Sequence, residues 1–447
     1  MLTFKVSERI RALLRKTALI GSVEALTILI SAAAGLLIVN VLPKEDYAFY
    51  TVIIACMTMA AGITDMGLVH CTMPIVGQRS NEVYWVLGVS RRVFRRRWAL
   101  LAAGSVFIVP YWWYLVHQHH WLAMDYMAAS LVTVGTLMLI LHENFLSSML
   151  VILNRVSQLT RPRLYAAIIR GVATCLVLVP FATKSVTLLQ LANLLPMVFL
   201  VVVYSIYLKN DMRGGQPLTR QERADVDSSI TKMARPLYLS AIFFQFQGIV
   251  TIFLVSLFST TTVLAEVGAS GRLAMLLTIV DRVAGILFFP ALARLPAGSQ
   301  LTSMVLRGHA AYLGVLGLAL LSAVFLPQYW VLLLGSKYEN LEPLLWMVFL
   351  TVFFMNGAQF CFLTMASRGH TSRQTATIPA VVSVQIAYLA LFGAADLKAV
   401  LGFSVATAFV HFAYQYSLLL SRMYKGRYRH DPDADVPAQE PRPALPD

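Results

Sequence analysis

The sequence predicts an all-α membrane protein: twelve transmembrane helices in two six-helix halves around a central cavity. Three observations carry this. The 447 residues are 58% hydrophobic and 13% charged, with mean hydropathy +0.69, against roughly 45–50% apolar and 25% charged in soluble domains. Apolar stretches near the ~20 residues that a bilayer needs recur along the whole chain. Lysine and arginine alternate between dense and nearly empty inter-helix segments, as topology demands.

Taken in order, residues 1–17 hold Lys5, Arg9, Arg11, Arg15 and Lys16 in an amphipathic pattern, a cytoplasmic interfacial segment. The apolar run that follows continues to Val41, longer than the core of a cleavable signal peptide. Spans are expected at 18–41, 47–76, 98–116, 122–150, 164–182, 186–208, 236–258, 263–290, 309–328, 341–366, 375–393 and 397–420. Residues 18–208 then form an N-terminal six-helix half, 209–235 a mixed-charge cytoplasmic linker, and 236–420 a C-terminal half. The Asp-, Pro- and Ala-rich tail, 421–447, is expected to be cytoplasmic and disordered.

Of the 36 lysines and arginines, 29 fall in segments on the side of the N-terminus, and only Lys44, Lys184, Lys337 and Lys398 fall opposite. Both termini are therefore expected in the cytoplasm. This placement accounts for the net charge of +14 without nucleic acid. The stripe Arg91, Arg92, Arg95, Arg96 and Arg97 reads as a loop anchored on anionic lipid. Cys56, Cys71, Cys175 and Cys361 lie in apolar runs without CxxC spacing and read as small hydrophobes. His117, His119 and His120, beside Trp112, Trp113 and Trp121, read as a headgroup-level cluster, and no metal or cofactor site is expected. The chain carries no HExxH, P-loop or GxSxG, and its expected outer loops are too short for a catalytic domain, so an enzyme is not expected.

Charges inside the spans are the functional signal, because each costs about 2.5–3.5 kcal/mol on insertion scales. The bases are Arg170, Arg272 and Arg282; the acids are Glu24, Asp65, Glu143, Glu266 and Asp281. Glu24, Asp65, Glu143, Arg170, Asp281 and Arg282 are expected in one layer of the inner half of the bilayer, while Arg272 stands alone near the midplane. Arg272 and Asp281 are nine residues apart, about 180° around a helix, and face opposite ways. Two readings stay open. The charges pair between helices, Arg170 with Glu143 for instance; or they line an inner vestibule whose arginines receive an anion, the planar guanidinium fork suiting phosphate. Glu266 lies near the outer interface, where hydration or snorkelling would satisfy it.

The run from Leu36 through Pro43-Lys44-Glu45-Asp46-Tyr47 to Tyr50 resembles the opening of Wzx-type polysaccharide flippases. So do Asp65-Met66-Gly67-Leu68, Val267-Gly268, Arg272-Leu273 and Pro290-Ala291-Leu292-Ala293. The resemblance implies an exporter of the MOP superfamily in the bacterial inner membrane. Such proteins flip a polyprenyl-diphosphate-linked glycan outward, working beside a polysaccharide polymerase and glycosyltransferases. It implies substrate-binding roles for Arg272, Arg170 and Arg282, and ion coupling by Glu24, Asp65, Glu143 and Asp281. The sequence departs from a cationic cavity in having five intramembrane acids against three arginines. A cation-coupled multidrug exporter of the same superfamily is the alternative, and a membrane glycosyltransferase or polymerase a third reading.

Overall fold

The computed structural model describes residues 22, 23, 25–65, 68–76, 79, 82–153, 155–179, 185–214, 217–235, 238–247, 249–284, 288–289, 292, 295, 298–367 and 373–424. The basic segment 1–17, Glu24, the side chain of Arg282 and the tail beyond residue 424 lie outside the described residues.

Every regular element among the described residues is helical. In chain order these are α1 (Ala25–Val41), α2 (Lys44–Asp65), α3 (Leu68–Val76), α4 (Val83–Gln118), α5 (Met124–Ile152), α6 (Val156–Leu178), α7 (Val186–Gly214) and α8 (Arg220–Ala234). They continue as α9 (Tyr238–Gln247), α10 (Val250–Phe258), α11 (Thr261–Val283), α12 (Ser299–Phe325), α13 (Pro327–Leu334), α14 (Leu345–Ala366), α15 (Thr377–Phe392) and α16 (Leu397–Tyr424), with a 3-10 segment at Ser336–Leu344. Nine spans among the described residues are long and apolar enough to cross a bilayer. With α1, α6 and the broken α9–α10 pair the chain makes twelve apolar passes, as its hydropathy predicts. Lipid-facing surface is plain on α4, where Val106, Phe107, Val109 and Trp113 are exposed. In water such a stripe would be a liability; against hydrocarbon it costs nothing.

The chain forms two compact units. The first comprises residues 1–276 with 328–342 and 392–401. In it α5 packs on α6 and α7, and α2 on α4 and α5. A core of Leu87, Leu146, Met149, Leu150, Tyr204 and Leu208 fills the space. Phe49 of α2 nests in an aromatic group, its ring 4.6 Å from Tyr126, 5.2 Å from Trp121 and 5.5 Å from Trp112. The second comprises 277–327, 343–391 and 402–447. There α12 packs on α14 around Leu301, Val305, Cys361, Met365 and Leu419, and Phe360 gathers Tyr312, His309, Phe288 and Phe289.

Three segments differ from expectation. The basic stretch 77–97 is not a loop: α4 begins at Val83 and runs 36 residues, about 54 Å at 1.5 Å per residue, well beyond the ~30 Å of hydrocarbon. The arginines occupy its first turns, and the apolar stretch follows from Trp98. In the segment 209–235, expected as a linker, most of the described residues are helical. α7 extends to Gly214, and α8 follows behind a capping box, Thr219 Oγ1 accepting from Glu222 N while the Glu222 carboxylate accepts from Thr219 N at 2.9 Å. The polar composition hid an amphipathic face: Val226, Ile230 and Ala234 are buried with Trp85, Val86 and Val89. Finally, the seventh span is interrupted between Gln247 and Val250.

The α8 cap gives a first prediction. Donation from the Thr219 backbone N–H, then from its hydroxyl, holds the Glu222 carboxyl below its ordinary range. A depressed carboxylate contributes above its unfolded-state pKa and loses that contribution as pH falls through the folded value. Amide exchange in the first turn of α8, corrected for intrinsic rates, is therefore expected to quicken on acidification. Thr219→Ala is expected to quicken it already at neutral pH, by loss of the cap; unchanged protection would contradict the assignment.

Candidate functional site

The site is assembled in the first unit by four helices that bring polar residues to one level. The first two turns of α2 carry Tyr47, Tyr50 and Thr51 on one face, three and four residues apart. α11 meets it through Lys44 with Glu266 and Thr51 with Gly268. Gly268 makes this possible, since a Cβ there would collide with the Thr51 side chain. Arg272 lies one turn further along α11, and helical side chains lean toward the N-terminus, so its guanidinium comes back beside the tyrosines. Arg272 Nε donates to Tyr47 Oη at 3.3 Å, and its Cζ sits 5.7 Å from the centroid of the Tyr50 ring. Gly35 of α1 provides the shelf: a Cβ there would lie 3.3 Å from Arg272 Cδ and 3.6 Å from Nη1.

Arg170 arrives from α6. Its guanidinium acts on the Tyr50 hydroxyl, which also accepts from Asn193 Nδ2 of α7 at 3.2 Å. Asn193 is buried beside Gln190. The inner-layer expectation for Arg170 is therefore corrected. α6 starts at Val156, eight residues earlier than the expected span, so Arg170 lies eight residues from its far end. That puts it with Arg272, not with the inner carboxylates. Its Nε is buried and has no hydrogen-bond partner among the described residues.

The acids find other company. Glu143 is buried and pairs with Arg163 at 3.5 Å, replacing the expected Arg170 bridge. Arg97, buried fourteen residues into α4, acts electrostatically on both Asp65 and Glu143. It had been counted with the basic loop, because the length of α4 is not written in its hydropathy. Glu266 is buried, not hydrated, and accepts from Lys44 Nζ at 3.0 Å. The apparently interfacial position is covered by Tyr338, over whose ring Lys44 and Lys337 both lie at 5.4 Å. Asp281, in the second unit, accepts from the Tyr312 hydroxyl. His119 stacks on Trp121 at 4.6 Å and bonds Ser256 O and Thr261 Oγ1, a packed histidine within the expected headgroup cluster. No group of three His, Cys, Asp or Glu fit to hold a metal occurs among the described residues.

The electrostatic result is an imbalance. Neither Arg272 nor Arg170 forms an ion pair among the described residues. Two guanidiniums therefore converge on Tyr50, held by phenols and an amide. Cation–π contacts contribute about 0.5–2 kcal/mol and a hydrogen bond from a charged donor about 1.5–3. These contacts offset much of the roughly 2.5–3.5 kcal/mol that an intramembrane arginine costs, but they supply no negative charge. An arrangement left in electrostatic debt has the chemistry of an anion receptor. The tyrosines and Asn193 escaped the sequence reading; the signal available was the i, i+3 pair of tyrosines behind Pro43-Lys44-Glu45-Asp46.

Gly268→Val is expected to wedge α11 from α2, with an overpacking cost of about 1–3 kcal/mol. Arg272 would leave Tyr47, while Gly268→Ala would do less harm. Thermal unfolding of the purified variants checks this, and wild-type stability of the valine variant would contradict the close approach.

No protein-family model matches the sequence, and no curated protein matches it. Solved structures do match. An inward-facing multidrug resistance MATE family transporter of the MOP superfamily aligns with TM-score 0.65 at 13% identity, over 89% of this chain and 96% of that one. A MATE transporter in complex with MaL6 aligns with TM-score 0.60 at 13% identity, over 93% and 96%. A MOP superfamily transporter from Pyrococcus furiosus, whose binding pocket is described as of reverse polarity, suggesting a different function, aligns with TM-score 0.59 at 13% identity, over 93% and 96%. The chain thus has a MATE-like transporter fold. At this identity the likeness is one of fold.

Proposed function

We propose that this protein flips a polyprenyl-diphosphate-linked oligosaccharide across the cytoplasmic membrane by alternating access, for exopolysaccharide or O-antigen synthesis. The observation that carries the reading is the pair Arg272 and Arg170, beside Tyr50 and without a carboxylate among the described residues. A diphosphate needs cations to leave water, and guanidiniums remain charged at any depth. The five-to-three excess of acids noted in the sequence does not weaken it. Glu143 and Glu266 are taken by Arg163 and Lys44, Asp281 by Tyr312, and Asp65 lies in the field of Arg97. In this reading Arg272 and Arg170 bind the headgroup, Arg282 is a third candidate, and Glu24, Asp65, Glu143 and Asp281 remain candidates for ion coupling. Both termini face the cytoplasm, where the 29 basic residues stand, and a polymerase and glycosyltransferases are the working partners.

A cation-coupled multidrug exporter is the second reading, favoured by the multidrug transporter of the same fold. The reverse-polarity pocket described for another protein of this fold fits a change of passenger with pocket charge. One experiment separates the two. The gene is supplied to a host whose polymer export is blocked by loss of its own flippase, and export and resistance to cationic dyes are both scored. Restored polymer without dye resistance supports flipping; dye resistance without polymer supports the alternative.

A further inference from the structure

Beyond the transport site, we propose that the protein holds an anionic phospholipid headgroup in a cleft between α4 and α8 at the cytoplasmic surface. The cleft has a volume of about 150 Å³ and is lined by Gly88, Arg91, Arg92, Arg95, Leu218 and Arg223. A water's share of liquid volume is about 30 Å³, so a phosphate with its ester oxygens fits. Gly88 shapes the wall, because a Cβ there would collide with Leu218.

Charge in the cleft is unequally satisfied. Arg92 pairs with Asp227, which Arg96 also approaches at 3.6 Å. Arg223 Nε donates to Leu218 O at 2.8 Å, fixing the side chain and leaving both terminal nitrogens to point elsewhere. Arg91, Arg95 and Arg223 are exposed and form no ion pair among the described residues. Arg91 and Arg95, four residues apart, stand on one face of α4 and repel each other. Three guanidinium forks around one small cleft are the donor set for a phosphate.

Depth identifies the source of that phosphate. The apolar stretch of α4 begins at Trp98, a residue type that favours the interface. Arg95 lies about 5 Å and Arg91 about 10 Å outside it along the helix. The headgroup zone is about 5–7 Å thick on each side of the hydrocarbon, so Arg95, at the membrane side of the cleft, lies at the level of lipid phosphates, with Arg91 one turn beyond it. A soluble anion would have no reason to be sought at this level.

The test uses full-length purified protein in a neutral detergent and titrates thermal stabilisation by short-chain phosphatidylglycerol, short-chain phosphatidylcholine and inorganic phosphate. Phosphatidylglycerol is expected to stabilise the wild type, with phosphatidylcholine and phosphate far weaker at equal concentration. Arg91→Ala/Arg95→Ala/Arg223→Ala is expected to weaken phosphatidylglycerol binding about 100-fold, from roughly one arginine's worth of attraction at each position. The corresponding triple lysine variant, which keeps charge and loses the fork, is expected to fall between. Removing three other exposed bases, Lys209→Ala/Arg220→Ala/Lys232→Ala, is expected to leave binding as in the wild type. Equal loss in that charge-matched control overturns the proposal in favour of diffuse attraction. An equal response to inorganic phosphate, or undiminished binding by both cleft variants, overturns it as well.

Discussion

If the protein exports polymer as proposed, export is expected to fall about 10- to 100-fold when Arg272 is replaced by alanine in a host that depends on it, at matched membrane expression. The figure follows from losing a charge-assisted interaction of about 1.5–3 kcal/mol. Arg272→Lys is expected to retain part of the activity: the ammonium keeps the charge but cannot present a planar fork. Tyr47→Phe is a milder test. Tyr47 Oη accepts from Arg272 Nε, so the phenylalanine variant frees the guanidinium without removing it. Arg170→Ala should resemble Arg272→Ala, because both act at Tyr50. Full export by well-expressed Arg272→Ala protein would remove the residue from the mechanism.

The second large effect is on stability, at the Lys44–Glu266 pair. The Glu266 side chain is only 5% exposed and that of Lys44 26%. Lys44→Met leaves a carboxylate buried beside Tyr338 with no counter-ion of its own. Breaking a buried pair costs about 3–5 kcal/mol, and the partial exposure of Lys44 argues for the lower end. The thermal midpoint is expected to drop by several degrees. Glu266→Gln should cost less, because Lys44 reaches water, and Lys44→Met/Glu266→Gln should recover much of the loss. If Lys44→Met melts with the wild type, Glu266 has another partner.

Much of this architecture was legible in the sequence, and the misses have physical causes. The twelve apolar passes could be read because a bilayer imposes length and hydropathy on each helix separately. The start of α4 could not. Arg91, Arg92, Arg95, Arg96 and Arg97 break the apolar run, yet helices continue through solvent, and Arg97 is carried inside while Arg92 and Arg96 turn to Asp227. α8 was hidden by a polar composition whose apolar positions, Val226 and Ile230, share one face. Arg170 was misplaced in depth because a helix that starts eight residues early moves every residue on it by about 12 Å. Arg272 was visible as an intramembrane arginine; its phenolic partners were not, since tyrosines in apolar helices look like packing residues until a neighbouring helix is fitted against them. The acid excess misled for a related reason. Composition counts charges, whereas pairing depends on which helices touch.

The most direct measurement is binding of a polyprenyl diphosphate to the purified protein, compared with the same polyprenol lacking its phosphates. The paired guanidiniums beside Tyr50 require the diphosphate to bind more tightly, and require Arg272→Ala/Arg170→Ala to remove that preference while leaving the weak affinity for the polyprenol. Equal binding of the two lipids by the wild type, or a preference that survives in the double variant, would contradict an anion receptor at this site.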